Sequence, residues 1–83
     1  MDITAFNSLE DFEQYELLFT CGVLLLDRNE GMFSYVLYQI DGFYIEIRHD
    51  LNHDAITGLR TFISVNLLQP YLDAMEINIG ELL

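Results

Sequence analysis

The stretch LYQIDGFYIEI, residues 37–47, decides the fold, because it reads as two β-strands joined by a tight turn. Asp41-Gly42 between two runs rich in β-branched and aromatic residues is the strongest short-range signal for a hairpin, and it predicts a type I′ turn. The turn also sets the register. If Ile40 pairs with Phe43, every other opposed pair of the hairpin follows.

This register gives the hairpin two different faces. One face pairs Tyr38 with Ile45 and Val36 with Ile47, so it is apolar throughout and is the predicted core face. The opposite face is mixed, and we expect a cation–π contact on it between Tyr35 and Arg48. Its opposed pairs are Gln39 with Tyr44, Leu37 with Glu46, and Tyr35 with Arg48.

Strand-like segments flank the hairpin on both sides. Residues 23–28 precede it, with residues 28–31 (RNEG) as a turn. Residues 55–64 follow it, and Gly58 predicts a bulge that switches the face of this last strand. Because hairpins join all these strands, the sheet is predicted to be an antiparallel meander of four strands.

Helical patterns occupy the two ends of the chain. The N-terminal helix is predicted to end at Gly22, and Pro70 fits the first turn of a C-terminal helix. The expected core-facing residues are Leu9, Phe12, Tyr15 and Phe19 in the first helix, and Leu68, Tyr71, Leu72 and Met75 in the second. Residues 77–83 are expected to lie along the sheet edge or to fray. The sequence therefore predicts one two-layer α+β domain over residues 1–83: N-terminal helix, four-stranded antiparallel meander, C-terminal helix, with both helices on the core face.

The charge balance is strongly acidic. Fourteen carboxylates oppose three arginines and no lysine, for a formal net charge of −11. Such a charge repels phosphate backbones and anionic lipids, so neither nucleic acid nor a membrane is an expected partner. The apolar run 17–26 is too short to span a bilayer, and Asp2 stands where a secretory signal carries positive charge. With Cys21 as the lone cysteine, we expect a cytoplasmic protein.

Residues 48–54, RHDLNHD, form the one cluster of metal-binding side chains. Its weak candidate ligands are His49, Asp50, His53 and Asp54. The two histidines have the spacing of a shared helical face, but the segment follows a strand and contains turn-forming residues. Short polar side chains at this spacing satisfy the backbone of a loop. We therefore predict a hairpin loop between the third and fourth strands, with no metal ion and no cofactor.

No catalytic pattern stands out elsewhere. Cys21 could act as a nucleophile with His49 or His53 as its base. It lies in an apolar run, however, where a free cysteine behaves as a small hydrophobic residue, and we expect it to be buried. Nucleophile-elbow and glycine-rich phosphate motifs are absent from the sequence. A non-enzymatic protein is predicted, and a small hydrolase or metal-dependent enzyme remains an alternative.

The mixed sheet face carries more aromatic side chains than a solvent-facing sheet surface usually does. Either the C-terminal segment or a helix covers it, or it is an interface with a partner or a second copy of the chain. The candidate interaction surface is Phe33, Tyr35, Leu37, Tyr44 and Arg48. For Glu46, Arg48 and Arg60 we expect a structural ion pair across neighbouring strands.

Three segments, GFYIEIRHD, GLRTFIS and LLQPYLDAMEI, resemble a group of short uncharacterised bacterial proteins of the Bacteroidetes type. That group shares the patterns F-[YF]-V-E-V, R-x-F and L-x-x-Y-L. The residues that carry the resemblance are Phe43, Tyr44, Glu46, Arg60, Phe62, Leu68, Tyr71 and Leu72. The resemblance implies a bacterial protein with no known activity.

The sequence thus predicts a small acidic protein-interaction module that acts through its aromatic sheet face or by self-association, for instance as a homodimer. An acidic inhibitor or immunity-like protein that binds a basic partner is the alternative.

Overall fold

The sheet organises the chain in this computed structural model, which describes residues 1–73. The elements are α1 Ile3–Asn7, α2 Asp11–Cys21, β1 Val23–Glu30, β2 Phe33–Ile40, β3 Phe43–Asp50, β4 Ala55–Phe62 and a 3-10 turn Val65–Leu68, followed by helical residues 69–73. The strands follow one another in the order β1-β2-β3-β4, each antiparallel to the next. The predicted α+β class and the four-stranded meander are confirmed.

The central hairpin has the predicted register along its whole length, from Ile40 opposite Phe43 to Phe33 opposite Asp50. The turn type differs from the prediction. Asp41 has φ of 49°, but Gly42 is not left-handed, whereas a type I′ turn needs both central residues at positive φ. The register therefore comes from the length of the loop and the apolar pattern rather than from that particular turn.

Two irregularities adjust the outer strands. The pairing of β1 with β2 shifts between Leu24 and Leu26, and that of β3 with β4 shifts between Arg48 and His49. Arg48 pairs with Gly58 and His49 with Ile56, so Thr57 is the extra residue of a bulge. The bulge that Gly58 predicted is therefore present, with the residue before it as the unpaired one. β1 also runs two residues further than predicted, to Glu30, and the turn follows at Gly31, whose φ is 60°.

The larger apolar core lies between the sheet and the two N-terminal helices. Its buried members are Phe6, Leu18, Ile40, Phe43, Ile45 and Ile47. The predicted stripe of the first helix is wrong at Phe12 and Phe19, which are 64% and 60% exposed. A separate short helix, α1, places Phe6 in the core, and the Gln14 side chain donates to the Phe6 carbonyl at 3.0 Å. Gln14 and Leu18 are thus the buried residues of α2, whereas Phe12 faces outward and Phe19 lies at the edge of the interface, with its ring centre 6.3 Å from that of Tyr38.

The helix α2 ends as predicted, at Gly22, whose N–H donates to the Leu18 carbonyl at 2.8 Å. A Cβ at this position would clash with the same carbonyl oxygen. Cys21, the last residue of α2, is exposed, so the prediction that it is buried is wrong. α2 ends at this residue and β1 begins at Val23, so the Cys21 side chain lies at the end of the helix, outside the core.

The C-terminal segment packs against the sheet face opposite α2. Tyr71 is 1% exposed and forms a second cluster with Leu37 and Phe62, against which Leu68 packs. The expectation that both helices share one face is wrong, because the apolar part of the mixed face recruits the aromatic ring of Tyr71. Leu72 is 43% exposed rather than core-facing. Met75 and the predicted path of residues 77–83 lie outside the described residues. Within residues 1–73, every helix is too short or too polar to cross a bilayer.

Candidate functional site

All three arginines of the chain lie on the sheet face opposite α2. The register aligns Arg28, Tyr35, Arg48 and Gly58 in one row across the four strands. Because side chains of a strand alternate between faces, and β3 turns Ile45 and Ile47 toward α2, this row points the other way. We call this surface, defined by Arg28, Arg48 and Arg60 with the aromatic rings beside them, the arginine face.

A pocket of about 370 Å³ lies among these side chains. Its lining residues are Arg28, Tyr35, Glu46, Arg48, Gly58, Leu59 and Arg60. Gly58 contributes no side chain to its row, and the Arg48 side chain lies over it. An added Cβ at Gly58 would lie 3.7 Å from the Arg48 Nε, an ordinary van der Waals contact, so Arg48 covers Gly58 without packing closely against it.

Glu46 is the anchor of this face, and it is only 6% exposed. Its Oε1 lies 3.1 Å from Arg60 Nη2, and its Oε2 accepts a hydrogen bond of 2.8 Å from the Tyr71 hydroxyl. Arg28 Nη2 lies 3.9 Å from the same Oε2. The predicted ion pair across neighbouring strands is confirmed for Glu46 and Arg60. A buried carboxylate needs such partners, because an unpaired charge in the interior is strongly unfavourable.

Arg28 lies deepest of the three arginines, with its side chain 14% exposed. Its guanidinium lies 4.0 Å from the centre of the Tyr35 ring and 5.1 Å from that of Tyr71, and Nη1 donates to Glu30 at 2.6 Å. Burial opposes the charged form, but the hydrogen bond to Glu30 and the nearby Tyr71 and Glu46 outweigh it and raise the pKa of Arg28. The Arg28 Nε is buried and has no hydrogen-bond partner among residues 1–73.

Arg48 is exposed and makes a different set of contacts. Its Nε donates to Thr57 Oγ1 at 3.0 Å, and its guanidinium lies 5.0 Å from the centre of the Phe33 ring. The predicted contact with Tyr35 is therefore wrong, because Arg28 occupies the Tyr35 ring while the bulged Thr57 holds Arg48. Within the described part of the chain, Arg48 pairs with no carboxylate.

Tyr71 connects Glu46 to the apolar cluster of Leu37 and Phe62. Burial, and next to it the hydrogen bond to the Glu46 carboxylate, raise the pKa of Tyr71 well above its ordinary value. The phenol therefore stays protonated and acts as a hydrogen-bond donor across the physiological range. Its ring also shields the Glu46 carboxylate from water on that side.

The five residues predicted as an interaction surface differ in solvent exposure. Phe33, Tyr35 and Tyr44 are partly exposed and Arg48 is exposed, but Leu37 is fully buried in the cluster with Phe62 and Tyr71. Leu37 is therefore not part of the accessible surface. Prediction from sequence missed Arg28 as a member of this face. A two-residue turn at residues 31–32 places Arg28 opposite Tyr35, and that register was the signal that would have found it.

The loop after β3 behaves as its polar residues predict. The Asp50 Oδ1 accepts from the backbone N–H of Asn52 at 2.9 Å and of His53 at 3.3 Å, which is an Asx turn. His53 Nδ1 lies 2.9 Å from Asp50 Oδ2, and His49 Nε2 lies 3.1 Å from Asp54 Oδ1. The hydrogen bond from His53 is the main cause that lowers the pKa of Asp50.

The four weak candidate ligands thus form two separate histidine–carboxylate pairs. Over residues 1–73, no group of three or more His, Cys, Asp or Glu side chains is placed to hold a metal ion. The loop uses its carboxylates to satisfy its own backbone and its two imidazoles.

Fold and site together define an acidic α+β domain with one cationic, aromatic-lined sheet face. No protein-family model, curated protein or solved structure matches the chain. The resemblance to the Bacteroidetes-type group therefore stays a prediction, and the geometry of the arginine face is the basis for a functional interpretation.

Proposed function

We propose that this protein is a non-enzymatic, cytoplasmic interaction module that binds a protein partner through its arginine face. One observation carries the proposal. A chain of net charge −11 gathers all of its arginines around one open pocket, each beside an aromatic ring. Arginine and tyrosine are among the residues that most often dominate the energy of protein interfaces.

The stability of the domain accounts for only part of this arrangement. Arg60 and Arg28 compensate the buried Glu46, and Glu30 compensates Arg28 again. Arg48 does neither, since its contacts are with Thr57 and the Phe33 ring. A neighbouring hydroxyl and a ring hold this exposed arginine in place. Its side chain is therefore preorganised for binding, because it loses less conformational entropy when a partner binds.

The same side chains supply binding groups rather than a nucleophile. The Glu46 carboxylate is engaged by the Tyr71 hydroxyl and Arg60, and the raised pKa of Tyr71 keeps its phenol protonated, so Tyr71 is not available as a base at neutral pH. Self-association through this face is the less favoured form of interaction. A symmetric dimer would bring the arginines of two copies together, whereas a different partner can offer complementary charge.

A photo-cross-linking amino acid placed at Phe33, in cells that produce the full chain naturally, tests the proposal. We expect a discrete adduct that disappears in the Arg48→Glu variant. The matched control carries the same cross-linker at Phe12, which is equally aromatic but lies on α2 and is 64% exposed. Equal adducts from both positions, or an adduct insensitive to Arg48→Glu, would contradict the proposal. An adduct of the chain with itself would assign the face to self-association.

The distribution of acids supports a second candidate, an acidic inhibitor or immunity-like protein. Glu10, Asp11, Glu13 and Glu16 are all exposed on or beside α2, and every arginine lies on the other side of the sheet. Phe12 is exposed among these acids, so the outer surface of α2 offers both charge and apolar area to a basic partner. The cross-linker at Phe12 tests this candidate. If the protein binds a basic partner through α2, the adduct formed at Phe12 requires Glu13 and Glu16 and is unaffected by Arg48→Glu.

A further inference from the structure

Two guanidinium groups on the arginine face keep hydrogen-bond donors for a ligand. Each guanidinium has five N–H donors. Arg60 uses Nη2 for Glu46, and its side chain remains 53% exposed. Arg48 directs Nε and Nη2 at Thr57 Oγ1 and the Thr57 carbonyl, at 3.0 and 3.5 Å, and is likewise exposed. Both line the same pocket, together with Gly58.

The pocket also has an excess of positive charge. Glu46 lies against Arg60 and Arg28, and Glu30 lies against Arg28. Arg48 has no carboxylate in contact within residues 1–73, and the buried Nε of Arg28, which lines the same pocket, has no hydrogen-bond partner there. An anion in this pocket would meet paired donors from planar guanidinium groups, which match the geometry of a carboxylate.

The rest of the molecule restricts which anions can arrive. With a net charge of −11, the surroundings of the pocket repel nucleic acids and other polyanions at distances up to about 8–10 Å at physiological ionic strength. A single negative charge on an otherwise uncharged or basic segment meets much less repulsion. The half-buried rings of Phe33 and Tyr35 beside the pocket favour an apolar or aromatic neighbour of that charge.

From these observations we infer that the group recognised in the pocket is a single carboxylate, carried on a protein segment that is otherwise uncharged or basic. The inference rests on the proposed function and names the chemistry of the partner. A pocket of about 370 Å³ accommodates a carboxylate with one neighbouring side chain. The carboxylate comes either from the C-terminus of the partner or from an Asp or Glu side chain within it.

Nuclear magnetic resonance on the full ¹⁵N-labelled chain tests the inference, because the three arginines give three Nε–Hε signals. The probes are a tetrapeptide that ends in tyrosine with a free carboxylate, its C-terminal amide, and an amidated tetrapeptide with one internal glutamate beside tyrosine. Hexaglutamate serves as the polyanion, at matched ionic strength. We expect saturable shifts of the Arg48 and Arg60 signals with one or both single-carboxylate peptides and none with the uncharged amide. Which of the two peptides binds identifies the source of the carboxylate.

Three variants test whether the pocket is the binding site. Gly58→Val places a branched side chain against the Arg48 guanidinium and is expected to weaken peptide binding at least tenfold, whereas Gly58→Ala adds one methyl at an ordinary contact distance and should change it less than about threefold. Arg48→Gln removes the exposed charge and should also weaken binding at least tenfold. The exposed position of Arg48 lets this variant fold, which an unchanged amide spectrum away from the pocket confirms.

Shifts that are equal for the free carboxylate and its amide overturn the inference, as does tighter binding of hexaglutamate than of the single-carboxylate peptides. The cross-linking experiment separates this inference from the proposed function. An adduct at Phe33 that depends on Arg48, together with no carboxylate binding, leaves the interaction module standing and removes the carboxylate. Carboxylate binding without such an adduct would leave the carboxylate site standing and would contradict the interaction module.

Discussion

The two faces of the same sheet are stabilised in different ways, and β3 belongs to both. Its residues alternate between Ile45 and Ile47, which pack under the N-terminal helices, and Glu46 and Arg48, which point to the arginine face. On the helix face, burial of apolar area supplies the stability and requires no particular partner. On the arginine face a buried carboxylate depends on specific donors, and each donor has a neighbour that holds it.

The difference shows which face can be changed without loss of the fold. An apolar core tolerates swaps of similar volume, but a buried polar network loses much of its stability when one member is removed. A network of this kind is expensive to keep for stability alone. Arg48 lies on the same face but supports no member of this network, so a binding role is the better explanation for it.

The largest effect is expected on the helix face. Leu18→Ala should lower the free energy of unfolding by about 4 kcal/mol, because Leu18 is fully buried against the sheet and its removal leaves a cavity. Phe12→Ala, on the exposed side of the same helix, should change it by less than about 0.5 kcal/mol. Urea denaturation followed by circular dichroism measures both, and similar losses for the two variants would contradict the observed orientation of α2.

Next in size is Glu46→Gln on the arginine face. We expect it to lower the free energy of unfolding by about 3 kcal/mol, since Arg60 and the mostly buried Arg28 lose a carboxylate partner. Glu16→Gln on the exposed face of α2 is the matched control, with an expected change below about 0.5 kcal/mol. If the two glutamates proved interchangeable in the same denaturation assay, Glu46 would not be the anchor of this face.

A smaller effect is expected for Tyr71→Phe, about 2 kcal/mol at neutral pH, because the ring remains and only the hydrogen bond to the Glu46 carboxylate is lost. The pKa of Tyr71 is raised in the folded protein, so its contribution is fully present below pH 10.0, the ordinary value, and declines as the pH rises beyond it. Denaturation midpoints of the two proteins, followed between pH 8 and 11, should therefore keep their separation up to about pH 10 and converge above it. A constant gap across that range would show that Tyr71 is not ionised on unfolding.

The sheet was predictable from sequence because its signals are local. Asp41-Gly42 and two alternating runs sufficed for the register of β2 with β3, and Gly58 marked the bulge in β4. The orientation of α2 was not predictable in the same way. Four aromatic and apolar residues at helical spacing pointed to one stripe, but the buried residues of α2 are Gln14, which donates to the Phe6 carbonyl, and Leu18.

The candidate site was predictable only in part, for a similar reason. Arg48, Tyr35 and Phe33 followed from the hairpin register, and the pair of Glu46 with Arg60 from the neighbouring strand. Tyr71 is 25 residues from Glu46 in sequence, and no local pattern shows that its ring covers the mixed face. Contacts between distant segments depend on how the chain returns to the sheet, which alternation and turn signals do not encode.

The smallest effect is expected in the loop after β3, which belongs to neither face. The pKa of Asp50 is lowered, mainly by its hydrogen bond with His53. The contact therefore stabilises the folded protein at a pH above 3.8, the ordinary pKa of an aspartate, and this stabilisation is lost as the pH falls through the pKa of the folded protein. Carboxyl resonances followed by nuclear magnetic resonance should place the pKa of Asp50 below 3.8 in the wild type. In His53→Ala the value should move upward but stay low, because the Asn52 N–H still donates to the carboxylate. The matched change His49→Ala removes the other imidazole, which pairs with Asp54, and should leave the Asp50 value unmoved. If both substitutions changed the pKa of Asp50 equally, the two histidine–carboxylate pairs would act as one cluster. Such a result would favour the interpretation of this loop as a set of metal ligands.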